Sequence, residues 1–242
     1  NKNLKQICDD LINTFYIAGD RSIELRKIGL KKKIKPDNTP VTNGDLEVNE
    51  ILTKKIKNIT PDIPIISEES ESNKLNKNLN NFWLIDPIDG TYDYVNNKDE
   101  FTLNAALIVN KEPELGIVYA PAKKKLFYTY GNGSSFELSN QKRTSLICKK
   151  QTKKNQIKAV SYSEILKPVI TDFHKKFGVT EYTMMKSSLK FCVIATGEFD
   201  LYVAESRACE WDIAAGHAIL KNAGGIITDF EGKQIKYGKK DF

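Results

Sequence analysis

This sequence has few histidines and no closely spaced pair of cysteines. It contains two histidines and four cysteines, and no two cysteines form a C-x-x-C pair. These counts argue against a structural zinc site. A chain of 242 residues can build a sizeable hydrophobic core, so it needs no disulfide scaffold. The cysteine usage is typical of a protein in a reducing cytoplasm.

Long apolar runs are also missing. No stretch approaches the roughly 18 residues that a membrane helix needs. The first ten residues, NKNLKQICDD, are too polar for the apolar core of a signal peptide. We therefore expect a cytoplasmic protein with no membrane partner. The sequence does not begin with Met and stops at Phe242, about one strand early, so we expect both ends to have been shortened.

Basic residues only slightly outnumber acidic ones. There are 37 basic and 31 acidic residues, a net charge of +6. This balance is compatible with an anionic partner such as nucleic acid or a phosphorylated small molecule, but it is weak evidence alone. The lysine clusters at 31–35, 123–125, 149–154 and 239–240 are flanked by turn residues. Solvated loops explain them best, because lysine is usually exposed.

Hydrophobic periodicity predicts an α/β protein in two halves. Residues 1–145 are interpreted as an α+β half with an antiparallel sheet, and residues 146–242 as an α/β half. In the first half we predict helices over 4–28 and 45–59, and strands over 63–67, 82–86, 101–109, 115–120 and 125–130. In the second half we predict strands over 157–161, 199–204 and 226–229, and helices over 165–177, 189–196 and 211–222.

The most informative segment is 83–91, WLIDPIDGT. An apolar strand runs into Asp86 and Asp89, and the proline between them can help to point both carboxylates and the Ile88 carbonyl in one direction. The backbone N–H groups of Gly90 and Thr91 follow, at a short helix start that could bind an anion. Such oxygen donors suit Mg²⁺ or Mn²⁺. The alternative is an ordinary strand-ending turn.

Four further acids stand at the ends of predicted elements. Glu68 and Glu69 follow an apolar strand, and Asp212 stands at the start of a helix rich in small residues. Asp45 stands at another helix start, where an N-cap role is a strong alternative. Together these acids weaken the turn interpretation of the 83–91 segment.

In this order and spacing, the segments resemble the inositol monophosphatase superfamily of Mg²⁺-dependent, lithium-sensitive phosphatases over nearly the whole chain. Segments 99–107 (DEFTLNAAL), 115–121 (LGIVYAP) and 187–192 (SSLKFC) resemble its 3'(2'),5'-bisphosphate nucleotidase branch most. The resemblance implies a layered αβαβα fold with a metal site in a cleft between the halves. It also implies hydrolysis of adenosine 3',5'-bisphosphate to AMP and phosphate.

The resemblance further implies a ligand set for two or three Mg²⁺ ions, with Mn²⁺ as an alternative. Its members are oxygen donors: Glu68, Asp86, the Ile88 carbonyl, Asp89 and Asp212. Glu68 is also taken as catalytic, because it is implied to hold a metal ion. Asp45 and Thr91 are implied to form a dyad that helps the attacking water lose its proton. Asp89 and the amides of Gly90 and Thr91 are implied to hold the phosphate.

Two more residues are candidates for contact with substrate. Glu205 matches a position that contacts substrate hydroxyls in inositol phosphatases, although a solvated acid at a strand end is as good an interpretation. Lys190 could face an anionic substrate, with a surface lysine as the default. Glu69 and Asp93 are interpreted as neighbours of the ligands rather than ligands.

The sequence departs from the nucleotidase pattern at two positions. Tyr162 stands where many members have an arginine suited to a second phosphate, although a tyrosine could stack on adenine. Lys186 replaces an expected glycine. An inositol or sugar phosphatase is therefore the first alternative, and a nucleotide- or RNA-binding regulator on the same fold is the second. We expect a small phosphorylated metabolite as substrate rather than nucleic acid, and a monomer or homodimer.

Overall fold

The computed structural model describes residues 3–36, 38–70, 79–150 and 156–239. Within these ranges the chain forms six α-helices and twelve strands. The helices are α1 (Leu4–Ile28), α2 (Asn43–Ile59), α3 (Thr91–Val95), α4 (Pro168–Phe177), α5 (Leu189–Ala195) and α6 (Glu210–Asn222). The strands are β1 (Lys32–Ile34), β2 (Pro40–Thr42), β3 (Ile65–Ser67), β4 (Phe82–Asp89), β5 (Thr102–Val109), β6 (Glu112–Ala120), β7 (Lys125–Thr129), β8 (Ser135–Ser139), β9 (Lys142–Ser145), β10 (Ile157–Ser161), β11 (Val179–Met184) and β12 (Leu201–Tyr202).

The large sheet has the strand order β3-β4-β5-β6-β7-β8-β9. Its pairs are antiparallel as predicted, except that β3 and β4 are parallel. Ser67 lies opposite Ile85 in that parallel pair, and the Glu68 N–H donates to the Ile85 carbonyl at 3.0 Å. Because parallel strands end at the same edge of a sheet, the acids that follow β3 and those that end β4 are brought together.

The elements stack in five layers, which confirms the predicted αβαβα fold class. Helices α1 and α2 pack on one face of the large sheet, and α5 and α6 cover the other. A parallel sheet, β11-β10-β12, forms the next layer, and α4 packs against β11. The core under α5 and α6 joins Phe82 and Val118 to Phe191 and Trp211, so both predicted halves contribute to it. None of the helices in the described ranges is apolar and long enough to cross a bilayer.

Several predicted strands differ from the structure. The expected strand over 226–229 is wrong, because only an isolated bridge between Thr228 and Gln234 forms there and Ile226 is exposed. The strand expected over 199–204 shrinks to β12. Strands β1, β2, β8, β9 and β11 were not predicted. Residues of β9 are exposed throughout and most of β11 is exposed, so their sequences lack the apolar alternation that marks a half-buried strand.

Gly116 allows α6 to approach β6 closely. A Cβ at this position would lie 2.5 Å from the Ala215 carbonyl oxygen and 2.9 Å from the Ala218 Cβ. Small residues on both elements therefore set the distance between the sheet and α6, the helix that carries Asp212.

We predict that Gly116→Ala lowers the free energy of unfolding by about 1–3 kcal/mol, the usual cost of overpacking a dense core. Urea denaturation followed by circular dichroism would measure it. Lys142→Ala, at an exposed position of β9 in the same sheet, is the control and should change the midpoint little. Equal midpoints for the two variants would contradict the close α6–β6 packing.

Candidate active site

The acidic residues meet at the edge of the large sheet where β3 and β4 end. Glu68 follows β3, and Asp86 and Asp89 belong to the end of β4. Pairing between β4 and β5 is irregular from Asp86 to Asp89, so the strand bends where it carries its carboxylates. Asp212 lies in the first turn of α6, where its Oδ2 accepts from the Cys209 N–H at 2.8 Å.

Burial and mutual repulsion dominate the electrostatics of this acidic group, which we define as Glu68, Asp86, Asp89 and Asp212. Asp86 is 1% exposed, and burial together with the charges of the other three raises its pKa well above the usual range. Burial and the neighbouring Asp89 raise the pKa of Asp212 to about 7. Burial also raises the pKa of Asp89, against the attraction of Lys190. Such a group favours a positively charged occupant.

One buried atom of the acidic group has no hydrogen-bond partner, the Oδ1 of Asp86. Across residues 3–36, 38–70, 79–150 and 156–239, no three His, Cys, Asp or Glu side chains are already gathered as ligands of a metal ion. Glu68 Oε1 forms an ion pair with the Lys35 ammonium at 3.0 Å, and Asp89 Oδ2 lies 3.0 Å from the Ser188 hydroxyl. The donor chemistry nevertheless fits a hard divalent cation, because every donor is an oxygen and an unpaired buried carboxylate oxygen is costly.

Asp45 and Thr91 lie within hydrogen-bond distance, as the proposed dyad requires. The Thr91 hydroxyl is 3.2 Å from Asp45 Oδ1 and 3.1 Å from the Ile88 carbonyl oxygen. Asp45 Oδ2 accepts from the N–H and the hydroxyl of Thr42, at 2.7 and 2.6 Å. Thr42 is thus the N-cap of α2 and Asp45 completes a capping box, so the N-cap interpretation of Asp45 is wrong. Burial raises the pKa of Asp45 against these hydrogen bonds.

The turn after β4 requires glycine at position 90. Gly90 has φ 91°, and a Cβ there would lie 3.0 Å from the Glu100 carbonyl oxygen. The left-handed backbone turns the chain directly from β4 into α3, with Gly90 as its N-cap. This places the Gly90 and Thr91 amides next to Asp89.

Ser188 and Asn104 were not predicted as site residues, yet they hold Asp89 and Asp212 in place. The Ser188 hydroxyl accepts from Asn104 Nδ2 at 2.9 Å. It lies 3.0 Å from Asp89 Oδ2 and 2.9 Å from the backbone carbonyl oxygen of Asp212, so its single proton can go to either. The motifs that contain both residues were visible in the sequence, but their contact joins distant segments.

Two lysines near the acids are more buried than the sequence suggested. Lys190 is 8% exposed, donates to the Ser187 carbonyl oxygen at 2.5 Å and lies over the Tyr202 ring, so the surface interpretation of it is wrong. Burial lowers its pKa, against the attraction of Asp89. Lys35, taken above for a loop lysine, pairs with Glu68 and with Glu69, the latter at 2.6 Å.

The remaining candidates contact residues outside the acidic group. Glu205 pairs with Lys167 at 2.7 Å and lies 3.4 Å from the Tyr162 hydroxyl. The ring of Tyr162 is covered on one face by the guanidinium of Arg207, 4.0 Å from its centroid. Asp93 is buried, with Lys98 at 3.8 Å.

The sequence model of the inositol monophosphatase family matches residues 14–242. The chain belongs to the inositol monophosphatase family. It is therefore a phosphatase, a hydrolase that acts on phosphate monoesters.

Among curated proteins, this family member is similar to 3'(2'),5'-bisphosphate nucleotidase CysQ of Salmonella typhimurium. The two are 32% identical over 208 residues, which cover 86% of this chain and 83% of the relative. The protein of the same name from Buchnera aphidicola is 37% identical over 205 residues, 84% of this chain and 76% of the relative.

Solved structures of the family superpose over nearly the whole chain. CysQ from Bacteroides thetaiotaomicron has a TM-score of 0.77 at 28% identity and covers 96% of this chain and 92% of its own. The IMPase of Thermotoga maritima has a TM-score of 0.79 at 26% identity. The match covers 95% of this chain and 87% of the Thermotoga maritima chain.

We predict that Ser188→Ala lowers kcat of this phosphatase by about 10–100-fold, the range for residues that orient metal ligands. The reason is that Asp89 loses a hydrogen bond and Asn104 loses its acceptor. Steady-state phosphate release would measure the loss. Ser187→Ala, at a neighbouring buried serine, is the control, and equal kcat values for both variants would contradict the role of Ser188.

Proposed function

We propose that this protein is a Mg²⁺-dependent 3'(2'),5'-bisphosphate nucleotidase that converts adenosine 3',5'-bisphosphate to AMP and phosphate. The observation that carries the proposal is the acidic group, in which an unpartnered Asp86 oxygen is buried among three other carboxylates. The names of the two relatives above and the segments 99–107, 115–121 and 187–192 favour the nucleotide substrate. The four cysteines are free thiols, which favours a reducing cytoplasm.

In this proposal, the acidic group and the Ile88 carbonyl hold two or three Mg²⁺ ions, or Mn²⁺. When bound, such ions activate water and stabilise the charge that develops on the phosphate and on the leaving oxygen. Asp86 supplies the buried end of the site, whereas Asp89 and Asp212 are partly exposed and can also reach the substrate side. Glu68 must exchange its contact with Lys35 for a cation.

Asp45 and Thr91 then act on the attacking water. The Thr91 hydroxyl can donate to Asp45 and accept a hydrogen bond from the water, so that a proton of the water can pass to the Thr91 oxygen while the Thr91 proton passes to Asp45. Thr42 holds Asp45 in the orientation that this transfer needs. A raised pKa makes Asp45 a better proton acceptor than an ordinary exposed aspartate. The backbone N–H groups of Gly90 and Thr91 would bind the phosphate group that is hydrolysed.

An inositol or sugar phosphate remains the second candidate substrate. The observation that favours it is the superposition on the Thermotoga maritima IMPase, which is at least as close as that on CysQ from Bacteroides thetaiotaomicron. Both candidates use the same carboxylates, so only substrate kinetics separate them.

We predict that Asp89→Asn and Asp212→Asn each abolish phosphate release, with a loss above the roughly 100-fold seen for residues that only orient ligands. Each substitution removes one negative charge from the metal site. Calorimetric titration with Mg²⁺ or Mn²⁺ should show weaker binding in both variants, and excess EDTA should silence the wild type. Li⁺ should inhibit it.

The control for this pair is Asp99→Asn, which alters an exposed carboxylate that lies 3.7 Å from Arg26. It should keep wild-type turnover and metal affinity. Near-normal turnover of either Asp89→Asn or Asp212→Asn at saturating Mg²⁺ would show that the ligand assignment is wrong.

We predict that kcat/KM for adenosine 3',5'-bisphosphate exceeds that for inositol 1-phosphate by at least about tenfold, or roughly 1.4 kcal/mol in transition-state binding. Both substrates would be measured at identical Mg²⁺ concentration and ionic strength. A ratio at or below one would assign the enzyme to the inositol or sugar phosphates instead.

A further inference from the structure

Asp45 and Thr91 lie on different helices, so the distance between them depends on how those helices are placed. Asp45 lies in the first turn of α2, and Thr91 is the first residue of α3. Helix α3 has only five residues, and a helix this short has little stability of its own. Contacts with the surrounding elements must therefore hold Thr91 within reach of Asp45.

Tyr94 fastens α3 to its surroundings. It lies three residues after Thr91, and its side chain is fully buried. Its hydroxyl donates to the Ser22 carbonyl oxygen of α1 at 2.7 Å. Arg26, one turn further along α1, lies over the Tyr94 ring with its guanidinium 6.0 Å from the centroid. Because α1 packs along α2, these contacts also fix α3 relative to α2.

The Tyr94 side chain lies directly against Gly44, the residue that precedes Asp45 on α2. A Cβ at position 44 would lie 2.4 Å from the Tyr94 hydroxyl oxygen and 2.7 Å from its Cε1. Any side chain there would force the ring or the start of α2 to move. The short separation agrees with the raised pKa of Tyr94, which has burial as its main cause and the charge of Asp45 as the next.

Gly44 is also linked to the Asp45 carboxylate through Thr42. The Gly44 N–H donates to the Thr42 hydroxyl at 3.0 Å, and that hydroxyl donates to Asp45 Oδ2 at 2.6 Å. A displacement of Gly44 would therefore disturb Asp45 in two ways, through the backbone of α2 and through Thr42.

We propose that Tyr94 and Gly44 form a spacer that sets the distance between Asp45 and Thr91, with Tyr94 as a positioning residue of this phosphatase. The inference rests on the proposed function, in which Asp45 and Thr91 take a proton from the attacking water. A displacement of about 1 Å in a reacting group can lower the rate about 100-fold. Tyr94 acts through Thr91 and Gly44 acts through Asp45, so the spacer affects proton transfer and leaves the acidic group unchanged.

The first test is Gly44→Ala, which inserts a methyl group between the Tyr94 ring and the start of α2. At saturating substrate and Mg²⁺, kcat should fall at least about tenfold. KM and the calorimetric affinity for Mg²⁺ should stay within about twofold of the wild type. This split separates a misplaced dyad from a general loss of structure, which would change all three quantities.

The matched control is Gly19→Ala. A Cβ at Gly19 would lie 2.2 Å from Cε1 of Tyr119, so this glycine also fits against a tyrosine ring. The contact joins α1 to β6, and neither element carries Asp45, Thr91 or a member of the acidic group. Gly19→Ala should lower the urea midpoint about as much as Gly44→Ala does. It should leave kcat of the folded enzyme near the wild-type value.

Tyr94→Phe is a second test, and it decides the matter if Gly44→Ala does not fold. It keeps the ring against Gly44 and removes the hydrogen bond to Ser22. We expect a smaller loss of kcat, about 3–10-fold, again with unchanged affinity for Mg²⁺. Tyr119→Phe is the matched control and should keep wild-type kcat.

Thr91→Val separates the spacer from the proposed function, because it removes the hydroxyl of the dyad itself. If Thr91→Val lowers kcat and a folded Gly44→Ala or Tyr94→Phe enzyme keeps wild-type kcat, the spacer is overturned and the dyad stands. A parallel loss of kcat and Mg²⁺ affinity in the folded spacer variants also overturns it. If Thr91→Val keeps wild-type kcat, the dyad and the spacer are both overturned.

Discussion

The structure depends on burying several carboxylates at one edge of a sheet without letting them repel each other apart. Isolated buried charges are costly, and here Asp86 is fully covered with three other acids around it. The parallel pairing of β3 with β4 forces this arrangement, because both strands deliver acids to the same edge. The other groups of the site place positive charges and hydrogen-bond donors near these carboxylates, which lowers the cost of burying them.

Those groups act at fixed places. Lys35 reaches Glu68 and Glu69 from the segment before β2, and the buried Lys190 supplies a positive charge near Asp89. Asp45 and Asp212 each lie in the first turn of a helix and accept a backbone N–H there, so local structure already favours their charge. Ser188 couples Asp89 to the backbone of α6. These contacts offset part of the burial that raises the pKa values of the carboxylates, while the Asp86 Oδ1 has no hydrogen-bond partner.

Much of the fold and of the acidic group could be predicted from the sequence. The remaining strands and contacts could not, for physical reasons that particular residues show. Helices α1 and α2 and strands β4 to β7 have clear apolar periodicity, and the acids were visible because they follow apolar strands or open helices. Strands β9 and β11 lack that periodicity because they are mostly exposed. The burial of Lys190 and the roles of Ser188 and Asn104 depend on contacts between segments far apart in the chain, which no local pattern reveals.

The same limit applies to substrate selectivity. Judged by its own segment, Tyr162 indicates that an arginine for a second phosphate is missing. In the folded chain the guanidinium of Arg207, from the loop after β12, lies 4.0 Å from the centroid of the Tyr162 ring. The surroundings of Tyr162 therefore include a cation from a segment about 45 residues further along the chain, a contact that the sequence around position 162 does not reveal. The charge around a candidate substrate residue has to be taken from the folded chain, because distant segments contribute to it.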